Sequence, residues 1–192
     1  MLTHLITLIG FAMAMTTHAT SAEPPTVRAV LGASKETVDA KWIGTTDGNF
    51  ATAMVRGPLQ AVVVFADGTT VSMPGKNMIL SADHGQIRFV EVRPTWEVTE
   101  GRILGARIRE QLLRFSPELA EVGERAEKEL APMKRPSGFS SILGYNFTLG
   151  EKGSALNCAV RVQSQGDDGW FAVFEFSQSG KAATTQKAGG TG

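Results

Sequence analysis

Reactive side chains are scarce in this sequence. Histidine occurs three times and cysteine once among 192 residues. His4 and His18 fall in an apolar leader, so the body of the chain holds a single imidazole, His84. Zinc sites built on two or three histidines are thereby excluded, and so are cysteine clusters. Cys158 has no partner for an internal disulfide. Exported eukaryotic domains of this size are usually disulfide-rich, so the lack of bridges points to a bacterial periplasm. No cysteine stands just after the apolar core of the leader, where a bacterial lipid anchor would attach.

Charge of one sign is missing as well. Lys+Arg number 19 and Asp+Glu number 19, all of them after residue 22. A neutral chain lacks the basic surface that displaces counterions from nucleic acid. It also lacks the basic run that holds a protein on an anionic membrane. Several motifs are absent too. There is no Gly-x-Ser-x-Gly elbow; Ser140-Ser141 lies between Gly138 and Gly144, at the wrong spacing. Gly101, Gly105 and Gly123 sit in helical patterns without phosphate-loop or dinucleotide spacing. No loop has the spaced oxygens of an EF-hand. Gly166-Asp167-Asp168-Gly169 reads as a hairpin turn, with a weak calcium contact as its alternative role.

What is present begins with the leader. Residues 5–15 read LITLIGFAMAM, without charge, and small residues follow up to Ala22. A short apolar core before a small-residue site is the shape of a secretory signal. It is too short to span a bilayer, which takes about 20 apolar residues. Its flank has no Lys or Arg, which leaves a buried N-terminal helix or an uncleaved anchor as the competing reading. Nothing later in the chain is apolar enough to span.

Residues 23–37 are polar and open on Pro24-Pro25, an extended lead-in. Six strand-like runs follow, at residues 38–45, 49–56, 59–66, 69–73, 77–82 and 86–93. Asp47-Gly48, Asp67-Gly68 and His84-Gly85 supply hairpin turns, and Gly57-Pro58 and Pro74-Gly75 supply breaks. The spacing predicts an antiparallel meander. The run AVVVFA at 61–66 has no polar alternation and suits a strand covered on both faces.

The period then changes. Leu104, Ile108, Leu112 and Phe115 form a helical stripe. Ser116-Pro117-Glu118 supplies an N-cap, a proline at N1 and an acid in the first turn of a second helix. Leu119, Val122, Ala126 and Leu130 form its apolar face, and Pro132 stops it. The first helix has four arginines against one glutamate, and the second five glutamates against Arg125 and Lys128. Two solvated faces explain this, and complementary pairing in a hairpin is the alternative. Three more strands are expected at 139–149, 155–163 and 170–177. The last is the most aromatic run of the chain and reads as core. Residues 179–192 have no large apolar residue and cannot order themselves.

The expected fold is α+β: an antiparallel meander of about six strands, a helical hairpin, then about three more strands. A curved sheet and a partly closed barrel both fit this pattern. The division is a leader at 1–22, a lead-in at 23–37, one domain at 38–178 and a tail at 179–192.

The chemistry left to such a chain is narrow. Cys158 lies in an apolar strand pattern and reads as a buried, inert thiol. Asp83-His84 beside Gly85 reads as a polar turn, with acid-base catalysis as its functional alternative. Asn146-Phe147-Thr148 fits the glycosylation pattern, which carries no meaning in a bacterium. Glu91, Glu97, Glu100 and Glu175 stand near strand ends, and glycoside hydrolysis needs only two carboxylates. The leading reading is therefore an exported, periplasmic binding or interaction protein without catalytic activity, such as an inhibitor, an immunity factor or an envelope assembly factor. Its partner would be another envelope protein or a small ligand; neither nucleic acid nor a cofactor nor a metal is expected. The candidates for a binding site are Asp83, His84, Asp167 and Asp168. A small exported hydrolase using carboxylates or His84, and a carrier of an apolar ligand inside a curved sheet, are the alternatives.

Overall fold

The computed structural model describes residues 23–45, 48–133, 141–149, 156–164 and 169–178. The leader, the tail and Asp167-Asp168 lie outside them. The elements in chain order are β1 (Thr26–Val30), β2 (Trp42–Gly44), β3 (Phe50–Val64), β4 (Thr70–Asp83), β5 (Gln86–Arg93), α1 (Gly101–Phe115), α2 (Ala120–Leu130), β6 (Ser141–Thr148), β7 (Leu156–Ser164) and β8 (Trp170–Gln178). The fold is α+β, as the pattern predicts, and its eight-stranded sheet is open.

The strand order is β1-β3-β4-β5-β8-β7-β6, with β2 also on β3. Every pairing is antiparallel except β1 on β3. That parallel strand lies within the polar lead-in, where five residues of β1 pair Thr26 to Gln60 through Val30 to Val64. The helical hairpin interrupts the sheet between β5 and β6. The chain then runs β6 to β7 to β8, and β8 returns to pair with β5.

The breaks at Gly57-Pro58 and Pro74-Gly75 do not divide strands. Where four short strands were expected, two long ones, β3 and β4, run through. The reason is register. Arg56 pairs with Asn77 and Leu59 with Gly75, so both irregular sites fall at one level. There the two strands bend together instead of turning. Buried positions skip from Ala53 to Leu59 on β3 and from Gly75 to Met78 on β4, and both arms feed one core. Pro74 is tolerated because β5 pairs β4 only from Asn77 onward. Beyond β5, α1 lies against this part of β4, and the buried Gln111 amide donates to the Ser72 carbonyl at 3.5 Å.

The helices pack on one face of the sheet. Leu104, Ile108 and Leu112 are fully buried on α1. Phe115 sets its ring edge-to-face against Phe174 and Phe176, at 5.7 and 5.9 Å. Ser116 caps the second helix as its sequence requires, its hydroxyl accepting from the Glu118 amide at 3.3 Å, and a short 3-10 turn at Pro117–Leu119 leads into α2. The two helices meet across a glycine seam. A Cβ added at Gly105 would lie 2.7 Å from the Glu127 Cα, and one at Gly123 would lie 2.9 Å from the Arg109 Cγ. The opposite helix charges meet only in part: Arg109 reaches Glu127 at 3.1 Å and Glu124 at 3.7 Å, whereas Arg114 pairs within α1 with Glu110. No helix among the described residues is long and apolar enough to cross a membrane.

Candidate functional site

Alternation along the strands gives the sheet a second face, turned away from both helices. On β8, Trp170, Ala172, Phe174 and Phe176 point inward, while Phe171, Val173, Glu175 and Ser177 point outward. On β5, Val90 and Val92 are inward, so Phe89, Glu91 and Arg93 are outward. Registers then line up one row across the outer face: Met54, Ile79, Glu91, Glu175, Ala159 and Asn146.

The centre of that row is two carboxylates directly opposite each other on neighbouring strands. Like charges in that relation raise the energy of a sheet. A charged hydrogen bond relieves them in part: the Arg161 Nε donates to Glu175 Oε1. Glu175 is the more enclosed of that pair, its side chain 12% exposed against 41% for Arg161. Glu91 is half-buried. Burial lifts its carboxyl above the ordinary range, the Glu175 charge lifts it further, and Arg161 pulls it partly back. Arg93 stacks its guanidinium 3.9 Å above the Phe171 ring. Ile79, Phe89, Ala159 and Val173 give the carboxylates a largely apolar frame. Two opposed carboxylates present negative charge that a cation can neutralise. The face also exposes Ile43 and Met54, at 69% and 46%.

Of the other two acids, Glu97 pairs with Lys76, which holds it below its usual range. Glu100 sits at the start of α1 and makes no capping bond with its side chain.

Of the other candidates from sequence, Asp83 and His84 lie elsewhere. Asp83 and His84 are at the tip of the β4–β5 hairpin, with Asp83 Oδ1 2.9 Å from the His84 Nδ1. His84 and Gly85 both have positive φ, as a two-residue turn demands. The His84 amide donates to the Asn49 carbonyl and the Gly85 carbonyl accepts from the Lys35 amide, at 2.7 and 2.9 Å. The side chain is 73% exposed. Glu91 is five residues along β5 from Gln86, roughly 17 Å away at the rise of a strand. The structure therefore does not bring the imidazole to the carboxylates. Asp167 and Asp168 are not among the described residues.

Cys158 is buried on the inner face, and burial pushes its thiol up to about 12. A shallow groove of about 390 Å³ runs along the helices, lined by Arg102, Ile103, Ala106, Arg107, Glu110 and Glu127. Among the described residues no three His, Cys, Asp or Glu side chains converge as a metal would require.

The carboxylate pair was not legible as a pair. Its one signal was Glu175 itself, a lone acid inside the run Trp170 to Phe176, and Glu91 repeats that pattern within β5. No known protein family, curated protein or solved structure matches this chain.

Proposed function

We propose that this chain is an exported, envelope-located binding protein without catalytic activity, and that it holds its partner on the outer face of β5, β8 and β7. There Glu91 and Glu175 would receive a guanidinium or ammonium group from an envelope protein or a small ligand. The observation that carries this reading is the direct opposition of the two acids. A sheet selected for stability alone gains by replacing one of them, so keeping both suits a site that a cation completes. The apolar frame supports a partner with hydrocarbon next to its charge. The uncharged leader supports export. The enclosed, protonated thiol and the outlying imidazole support a role other than nucleophilic catalysis.

The test is to place a photo-crosslinking residue at position 89 in cells, recover what it captures, and measure the affinity of that partner. Glu91→Gln and Glu175→Gln should each weaken binding by about ten-fold. Glu97→Gln serves as the control, since it lies off the row. Equal affinities for all three variants would sink the reading. Fractionation of cells, with sequencing of the mature N-terminus, tests the export half.

One observation favours a second reading, a carboxylate hydrolase. Glu91 is pushed towards holding a proton while Glu175 has a guanidinium partner, the division of labour between acid and base. Directly opposed residues have Cβ atoms about 5 Å apart, within reach of a retaining glycosidase geometry. Turnover of a glycoside panel that disappears in Glu91→Gln would replace the binding reading with this one.

A further inference from the structure

The outer face of the sheet is arranged in levels, and charge is sorted among them. The level of Glu91 and Glu175 runs from Met54 and Ile79 to Ala159 and Asn146, and it holds no base. Two residues along each strand lies the next level. There Arg56 pairs with Asn77, Asn77 with Arg93, and Val173 with Arg161. Arg93 follows Val92, which pairs with Phe174, so the same register sets it beside Val173. Three arginines without an acid thus stand one level from two acids without a base, about 6.7 Å along the strands. On the other side of the carboxylates, the level of Thr52, Ser81, Phe89 and Ser177 is uncharged. Arg88 and Asp83 lie farther out, towards the hairpin tip.

Large apolar side chains share this face. Ile43 pairs with Thr52, and Phe50 and Met54 flank Thr52 on β3. All three are exposed, Phe50 at 44%. Ile79, Phe89 and Phe171 are partly buried on the same face. A sheet face that meets only water alternates to polar residues, and a contiguous apolar patch marks a surface that something covers. Six strands by four levels, at roughly 4.8 by 6.7 Å per residue, make on the order of 800 Å² of face, about one partner's share of a specific interface.

We propose that a second copy of this chain covers the outer face, related to the first by a two-fold axis that lies in the interface parallel to the levels. Such an axis reverses the strand direction and lays one level over another. Set between the carboxylate and arginine levels, it places Glu91 against Arg93 of the second copy and Met54 against its Arg56, and symmetry repeats both contacts. An axis along the strands would instead stack the carboxylates of both copies, which like charge opposes. The sorted charges therefore select both the occupant and its orientation. Arg161 already serves Glu175 within its own copy, so the base that the second copy adds is Arg93, for Glu91. The two sheets would pack about 10 Å apart, with Ile43, Phe50 and Phe89 between them. This inference rests on the reading that the outer face receives a cationic partner, and it names that partner.

Sedimentation equilibrium of the mature chain, from about 2 to 200 μM, reads the association, and a dimer with a Kd of about 1–50 μM is expected. Arg93→Glu sets an acid against Glu91 of the second copy, and Glu91→Arg sets a base against its Arg93. Each change should weaken the dimer at least about ten-fold, and the two combined should restore it to within about three-fold. Leu113→Glu, exposed on α1, should leave it unchanged. Circular dichroism confirms that each variant is folded, and Met54→Arg, at an exposed position, repeats the like-charge test if a carboxylate-level variant is not. Three outcomes overturn the proposal: a monomer at about 200 μM, a combined variant no tighter than the single ones, or an equal loss in Leu113→Glu. A monomer whose crosslink at position 89 recovers a different protein, held less tightly by Glu91→Gln, removes the second copy and leaves the carboxylate reading standing. A dimer indifferent to both charge changes sinks the two together.

Discussion

Phe171 and Phe174 are three residues apart on β8 and face opposite ways. Phe174 is fully buried, with Trp96 and Phe115 edge-to-face against it. Phe171 is only partly buried, under the Arg93 guanidinium. The two sides of one strand therefore follow different rules. The covered side is chosen for volume and fit, where any lost atom leaves a void. The uncovered side keeps charges in positions that weaken the sheet. A protein carries such a penalty where something other than its own stability uses it.

The strongest way to break this comparison is truncation on each side. Phe174→Ala should destabilise by about 3–5 kcal/mol and Phe171→Ala by less than about 1.5 kcal/mol, measured by urea unfolding. Equal losses would mean that the outer face is as enclosed as the inner one. Next comes the glycine seam of the covered side. Gly105→Ala gains about 1 kcal/mol of helix propensity but forces a methyl against the Glu127 backbone. Overpacking outweighs propensity there, and a net loss of about 1–2 kcal/mol is expected. A stabilised variant would show that the two helices are free to separate.

The uncovered side makes the opposite prediction. Glu91 has its carboxyl raised in the folded chain, so folding favours its protonated form. Its penalty is full above the folded value, and stability rises as pH falls through that value towards the unfolded one, near 4. Glu91→Gln should thus stabilise the protein at pH 7, by no more than about 0.5 kcal/mol after solvent screening, and the gain should vanish below about pH 4. A destabilised variant would assign Glu91 to structure. The smallest effect belongs to the hairpin tip. His84→Asn keeps a residue that tolerates positive φ, and the melting temperature should move by no more than about 2 °C. A larger loss would show that the imidazole supports more than its turn.

Local signals were the readable ones. The helical hairpin followed from the stripe at Leu104, Ile108 and Leu112 and from the Ser116-Pro117 cap, because each is decided within a few residues. The His84-Gly85 and Asp67-Gly68 turns were legible for the same reason. The merging of four expected strands into two was not. Gly57-Pro58 and Pro74-Gly75 break a chain when read singly, and only their pairing across the ladder turns two breaks into one bend. β1 was hidden because a parallel partner leaves no hairpin signal. The site was lost in the same way: opposition of Glu91 and Glu175 depends on β8 joining β5 across the whole helical insertion.

That late join has a consequence for assembly. As the polypeptide is made, the portion up to β5 has a bare margin, and its interior lacks Trp170, Phe174 and Phe176. β6 and β7 can form a ribbon but have nowhere to attach. Only when the segment near residue 170 arrives do the halves become one cooperative body. Removing β8 should therefore leave two incomplete pieces instead of a slightly smaller protein, and the rate of folding should be governed by closure of the long loop between residues 93 and 170.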